Sequence, residues 1–271
     1  MIDLHSHILP SLDDGPGNME GALGMARAAA ADGVRAVAAT PHVIPGLYNP
    51  GRERILRAVE EFKARLKEQG IELDVRPGAE YLLDPGLPGL VDAGEAVTLN
   101  DGGKYLLVEF PARGTPPFAE TVLYELLLRG VIPVIAHPER NRLFIRRPER
   151  LRAFIEKGLL VQVTAGSVTG AFGGAPSAAA MQFIRKGWCH ILGSDAHDTT
   201  RRAPIMSAAE RAINRSCGRE TASLLVSGNP SLILQGRPVN HPPPAGKNGL
   251  WNRLAGWLAH YHDPDMPGPA G

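Results

Sequence analysis

Short apolar runs alternate with segments of helical periodicity along most of the chain. The runs are Ile2–Leu4, Ala36–Ala39, Leu73–Val75, Tyr105–Val108, Ile132–Ile135, Leu159–Val163 and Ile191–Leu192. Their length and aliphatic character predict buried strands. Between them, Met19–Ala31 and Arg52–Glu68 read as helices. In the second, Ile55, Val59, Phe62 and Leu66 recur on one helical face, and Gly70 supplies a stop. Glu120–Arg129, Pro148–Lys157 and Ser177–Lys186 each end in a basic residue followed by Gly, which suits a helix C-terminus. Arg202–Arg215 and Glu220–Val226 read as closing helices.

This alternation predicts an α/β chain with a parallel sheet and helices outside it. Seven strand units in one domain point to barrel-like closure. The alternative is an open doubly wound sheet, but that fold usually carries a Gly-rich phosphate loop after its first strand. Here that loop holds His and Asp. The pattern changes near Gly236, where GRPVNHPPPAGKNG reads as a linker. Leu250, Trp251, Leu254, Trp257, Leu258 and Tyr261 then share one helical face, and DPDMPGPAG reads as disordered. The expected domains are a barrel over 1–235 and a tail over 236–271. The amphipathic stretch is expected to pack on its own barrel or on a second subunit.

Composition narrows the class. The chain has 271 residues, 44% hydrophobic, enough for one large core. Its net charge of +1 gives no reason to expect a nucleic-acid partner. The two cysteines, Cys189 and Cys217, make no disulfide framework, which predicts a cytoplasmic setting. The N-terminus has no basic region ahead of Asp3, so no signal peptide is expected. No run reaches the ~20 apolar residues of a membrane span.

The polar residues that follow the strand runs carry the chemistry. They are His5 and His7, then His42, Glu80, Glu109, His137, and finally Asp195 with His197. Asp13 and Asp14 follow the first pair. Five of the nine histidines sit there. In a parallel barrel those strand ends converge on one face. A cluster of this size needs counter-charge, and imidazole with carboxylate suits manganese, iron or zinc. About nine donors suffice for two or three divalent ions, which implies hydrolysis or phosphoryl chemistry by a metal-bridged hydroxide. Arg140 and the pair Arg201–Arg202 follow two of these motifs, and an arginine fork matches a phosphate. The sixth strand, LVQVTAGS, ends in no charged group. His190 starts a strand and reads as structural; His241, His260 and His262 read as solvated tail residues.

HSH, TPH, GAE, EFP, AHPER and GSDAH, in this order, resemble the polymerase-and-histidinol-phosphatase (PHP) superfamily. MIDLHSHILPSLDDG, HPERN and SDAH are similar, more closely, to the bacterial manganese-dependent tyrosine-protein phosphatases of capsule and exopolysaccharide loci. The resemblance covers about residues 1–235. It implies a distorted (β/α)7 barrel with a trinuclear site. One ion would take His5, His7, Glu80 and Asp195. A second would take Glu80, Glu109 and His137. A third would take His42, His197 and Asp14, with Asp13 in reserve. Manganese is favoured, with iron and zinc as alternatives. Arg140 and Arg202 would contact phosphate, and the substrate would be the phosphotyrosine tail of a bacterial tyrosine autokinase. His42 or His197, or a metal-bound water, would protonate the leaving group. Neither cysteine has a Cys-x5-Arg phosphate loop. A small-molecule phosphatase of the histidinol-phosphate kind, a phosphodiesterase and a non-enzymatic regulatory module are the competing readings.

Overall fold

In the computed structural model, which describes residues 1–111, 114–242 and 244, all strand pairing is parallel. The chain runs β1 (Ile2–Ser6), α1 (Met19–Ala31), β2 (Ala36–Ala39), β3 (His42–Val43), α2 (Arg52–Glu68), β4 (Asp74–Pro77), β5 (Glu80–Leu82) and α3 (Leu87–Asp92). It continues with β6 (Tyr105–Glu109), α4 (Ala119–Leu128), β7 (Ile132–Ala136), α5 (Arg142–Arg146), α6 (Pro148–Glu156), β8 (Leu160–Thr164), α7 (Ala165–Thr169) and α8 (Gly174–Arg185). β9 (Ile191–Gly193), α9 (Ser207–Cys217), α10 (Arg219–Ser223) and α11 (Asn229–Leu234) complete the order. One sheet has the order β1-β2-β4, the other β3-β5-β6-β7-β8-β9.

Two of the expected strands are thus split. Pro41 has no N–H to give a ladder and separates β2 from β3; β4 ends on Pro77, before β5 resumes at Glu80. His42 and Glu80 therefore open short second strands rather than following the first ones. Hydrogen bonds cross the breaks from Thr40 N to Ser6 O (2.9 Å) and from Glu80 N to Pro41 O (3.0 Å). β1 also meets the segment after β9, through Asp195 N to His5 O and His7 N to Ala196 O, both 2.8 Å.

Side-chain alternation divides the core. Leu4, Ala38, Tyr105, Leu107, Val134, Leu160 and Ile191 form one buried cluster. Leu106, Val108, Ile135, Val161 and Leu192 face the helices with Phe62, Phe154 and Phe183. The register shifts between Asp3 and Ser6 in β1, and such a bulge re-aims the side chains beyond it, here His5 and His7. The closing helix begins at Ser207, not Arg202. Asp198 accepts the backbone N–H groups of Thr200, Arg201 and Arg202 in a turn, and Pro204 precedes the helix, whose first N–H groups are capped by Asp32.

The start of the expected linker is pinned to the opposite end of the strands. The Tyr105 hydroxyl donates to Arg237 O at 2.6 Å, Lys104 Nζ to Gly236 O at 2.7 Å, and Asn229 brackets the backbone of Asn240. His190 is buried, as a structural residue should be. His241, expected to be solvated, is exposed, and its Nδ1 also lies 3.0 Å from His190 Nε2. The amphipathic stretch with its two tryptophans, and His260 and His262, lie outside the described residues. Among the described residues, no helix is long and apolar enough to cross a membrane.

Candidate metal centre

Each expected donor arrives at one end of the strands by a local device. The bulge in β1 and the turn after it place His5 and His7 together, their Nε2 atoms 3.2 Å apart. The turn closes on Gly15, where a Cβ would stand 2.2 Å from His7 O, so no side chain fits. His42 and Glu80 face each other in paired register on β3 and β5. Glu109 ends β6. His137 and Asp195 follow β7 and β9 in the left-handed region, with φ of 32° and 54°. Non-glycine residues rarely adopt that conformation, and it concentrates at functional sites.

Glu80 lies at the centre and is fully buried. Its Oε2 is 3.2 Å from both His5 Nε2 and His7 Nε2 and 3.0 Å from His42 Nδ1. Its Oε1 is 2.9 Å from His137 Nε2. Asp195 Oδ1 lies 3.4 Å from the same two Nε2 atoms of His5 and His7. On the other flank, Asp14 Oδ1 is 3.3 Å from His197 Nε2 and 3.7 Å from His42 Nε2. Glu109 lies 3.9 Å from both His42 Nδ1 and His137 Nε2. Three donor groups thereby converge: His5, His7, Glu80 and Asp195; His7, Asp14, His42 and His197; and His42, Glu80 and Glu109. Against the expected sets, His7 enters a second group and His42 stands where His137 was expected, although His137 touches Glu80 from beyond.

The pair Asp13–Asp14 divides. Asp13 Oδ2 is 2.6 Å from His7 Nδ1 and accepts the His42 backbone N–H at 2.8 Å, while its other oxygen accepts Gly15 N–H. Asp13 thus faces away from the donor groups and Asp14 toward one.

The electrostatics reflect the crowding. Burial works against charge on Glu80, but His5, His137 and His42 outweigh it and hold the carboxyl well below its usual range. Asp195 is held low in the same way, by His5 and His7 against burial. Burial disfavours the His7 imidazolium, yet Asp13, Asp195 and Glu80 raise it well above its ordinary value. Glu109 moves upward through burial and the neighbouring Glu80 charge. His197 moves the other way, lowered by burial. Glu80 Oε2, His42 Nδ1 and His197 Nε2 are buried without hydrogen-bond partners, and all three point into the donor groups. Orphaned lone pairs of N and O character fit a divalent metal.

Two arginines close the rim. Arg140 Nη1 and Arg202 Nη2 both donate to Asp195 Oδ2, the second at 2.8 Å. Neither pairs with Glu139 or Asp198: Glu139 is buried and accepts Thr164 N–H, and Asp198 shapes its own turn. Arg201 is exposed. A cavity of about 170 Å³ opens beside Arg140, lined by Glu109, Phe110, His137 and Asn141.

Residues 1–235 match the family described as Capsular polysaccharide synthesis, CpsB/CapC. The chain belongs to the CpsB/CapC family. It is 36% identical to tyrosine-protein phosphatase YwqE of Bacillus subtilis, over 90% of this chain and 95% of that one. It is 30% identical to tyrosine-protein phosphatase CpsB of Streptococcus pneumoniae, over 86% and 98%. A solved structure from a study of YwqE and CpsB as metal-dependent tyrosine phosphatases superposes with a TM-score of 0.87, at 36% identity, covering 90% of this chain and 98% of that one.

Several residues of this CpsB/CapC site were not evident from sequence. Gln162, in β8, reaches His5 Nδ1 at 2.9 Å; a polar residue inside LVQVT was the available signal. Phe172 lies under the Arg140 guanidinium at 4.8 Å, and the Tyr48 ring lies nearly parallel to His42 with centroids 6.1 Å apart. Both stand in loops whose sequences carry no periodicity.

Proposed function

We propose that this chain is a metal-dependent protein-tyrosine phosphatase. The observation that carries the reading is the convergence of nine His, Asp and Glu donors, most of them buried, from six chain segments beneath two arginines. Membership of a family whose curated members are named tyrosine-protein phosphatases supports it. The two sheets form a distorted (β/α)7 barrel, a reading supported by the hydrogen bonds at Pro41 and between β1 and the segment after β9. Residues 1–235 make that catalytic domain and 236–271 a tail. The protein works in the cytoplasm, as two free cysteines suggest.

His5, His7, Glu80 and Asp195 would hold one ion, Glu80, Glu109 and His137 a second, and Asp14, His42 and His197 a third. Manganese fits this N/O donor set, as do iron and zinc. Divalent ions supply Lewis acidity and activate water for attack at neutral pH. Arg140 and Arg202, which meet at Asp195 Oδ2 on the rim, would neutralise charge on the phosphoryl oxygens as it develops. Tyrosine's pKa of about 10 makes its phenolate a better leaving group than an alkoxide. The proton reaches it from the side of His42 and His197; the His42 side chain is the most open of the site histidines at 12%. A thiol nucleophile is disfavoured: Cys189 is fully buried, and burial pushes its thiol up. The substrate is the phosphotyrosine tail of a bacterial tyrosine kinase acting in capsule or exopolysaccharide synthesis.

The test is competition among substrates. Phosphotyrosine peptide is expected to exceed histidinol phosphate and a phosphodiester in kcat/KM by at least tenfold. Preference for either small molecule would replace the protein-phosphatase reading.

A further inference from the structure

The sixth apolar run was the one without an ionisable residue at its end. Its strand, β8, still reaches the site. Gln162 is fully buried and on the same face as Leu160, at the level of the donors. One amide oxygen, Oε1, receives two contacts: His137 N at 3.2 Å and His5 Nδ1 at 2.9 Å.

These contacts fix the hydrogens in sequence. A backbone N–H can only donate, so the Gln162 atom facing His137 N must be the oxygen. A carbonyl oxygen can only accept, so His5 Nδ1 carries the proton. The free lone pair of neutral His5 is then on Nε2, the atom that faces His7, Glu80 and Asp195. The same oxygen ties down the peptide of His137, whose left-handed φ of 32° needs outside support. β8 holds this turn a second time, because Thr164 N–H donates to Glu139 Oε1 at 2.9 Å.

Gln162 does this at a cost to the fold. Its Nε2 is buried with no partner, and such a donor destabilises. The space around it is fitted: a Cβ on Gly193 would stand 2.9 Å from Gln162 Nε2 and 2.9 Å from His5 Cβ. An apolar side chain of similar length would remove that orphan but leave His137 N–H and the His5 ring N–H without an acceptor.

We propose that Gln162 is a positioning residue, which sets the tautomer of His5 and the backbone of His137 so that both present Nε2 to metal. This rests on the metal-dependent reading of the site. It places Gln162 behind two of the three ion sites; the group of Asp14, His42 and His197 does not touch it.

The experiment is a manganese-binding titration of wild type, Gln162→Leu and Gln162→Glu, with Tm recorded in chelator. Outer partners of ligating histidines typically matter 10–100-fold in metal affinity. In Gln162→Leu, two ions are expected to weaken by ~10–100-fold while one keeps its wild-type affinity, and the metal-free Tm falls because two buried donors lose their acceptor. Gln162→Glu retains the acceptor and is expected to restore affinity to within about threefold. Unchanged isotherms in Gln162→Leu, or equal weakening of all ions, would overturn the proposal. Should Gln162→Leu not fold, Gln162→Glu binding as poorly as a Gln162→Ala control would overturn it equally. Wild type that takes up no ion would refute the metal-dependent reading itself, a separate failure.

Discussion

His7 Nδ1 and Asp13 Oδ2 lie 2.6 Å apart, so a histidine that two donor groups share is held from behind by a carboxylate. Asp13 also accepts two backbone N–H groups. Asp13→Ala would leave three donors unpaired and is expected to destabilise the metal-free protein by ~2–4 kcal/mol. Asp14 holds nothing behind it, and 43% of its side chain is exposed. Asp14→Ala is expected to change stability in chelator by about 1 kcal/mol or less and to remove one ion. Urea melts paired with metal analysis separate the two.

Arg140 is sandwiched between Asp195 and the Phe172 ring. Gly166 makes room for that ring, since a Cβ there would stand 2.8 Å from Phe172 Cε2. Arg140→Ala is expected to lower kcat/KM for phosphotyrosine peptide by ~10²–10³-fold. Phe172→Ala, which only loosens the guanidinium, is expected to raise KM by roughly 3–10-fold, since an exposed cation–π contact is worth about 1 kcal/mol. Steady-state kinetics check both, and metal content should match wild type in each.

Burial, with His241 beside it, pushes His190 down to about 3. In the unfolded chain its pKa is about 6.5. Between these values the unfolded state takes up a proton that the folded state refuses. Stability from this group is therefore complete above pH 6.5 and declines as pH falls toward 3. His190→Gln is expected to flatten the loss of stability between pH 6 and 4 by up to one proton's worth, ~1.4 kcal/mol per pH unit. Denaturant melts of both proteins across that range measure it.

Much of the site was readable because charge at the end of an apolar run is conspicuous. His5, His7, Glu109, His137, Asp195 and His197 stood out for that reason. The split of two strands was not readable: His42–Val43 and Glu80–Leu82 are too short to show a period of two. The choice between Asp13 and Asp14 depends on which way a turn folds, and no periodicity governs that. Gln162 was hidden because an uncharged residue in an apolar run gives no electrostatic signal. The arginines stood out beside two of these motifs, but their partner, Asp195, is set by packing between distant loops. The short helices α3, α5 and α7 are five or six residues long and present too few turns for a helical pattern.

The most direct test of the account is metal content joined to phosphotyrosine-peptide hydrolysis before and after chelation. Two or three divalent ions per chain are expected in purified protein. Activity should disappear with their removal and return on adding manganese, with His137→Ala inactive throughout yet folded. Turnover that persists in the chelated protein, or in His137→Ala, would contradict it.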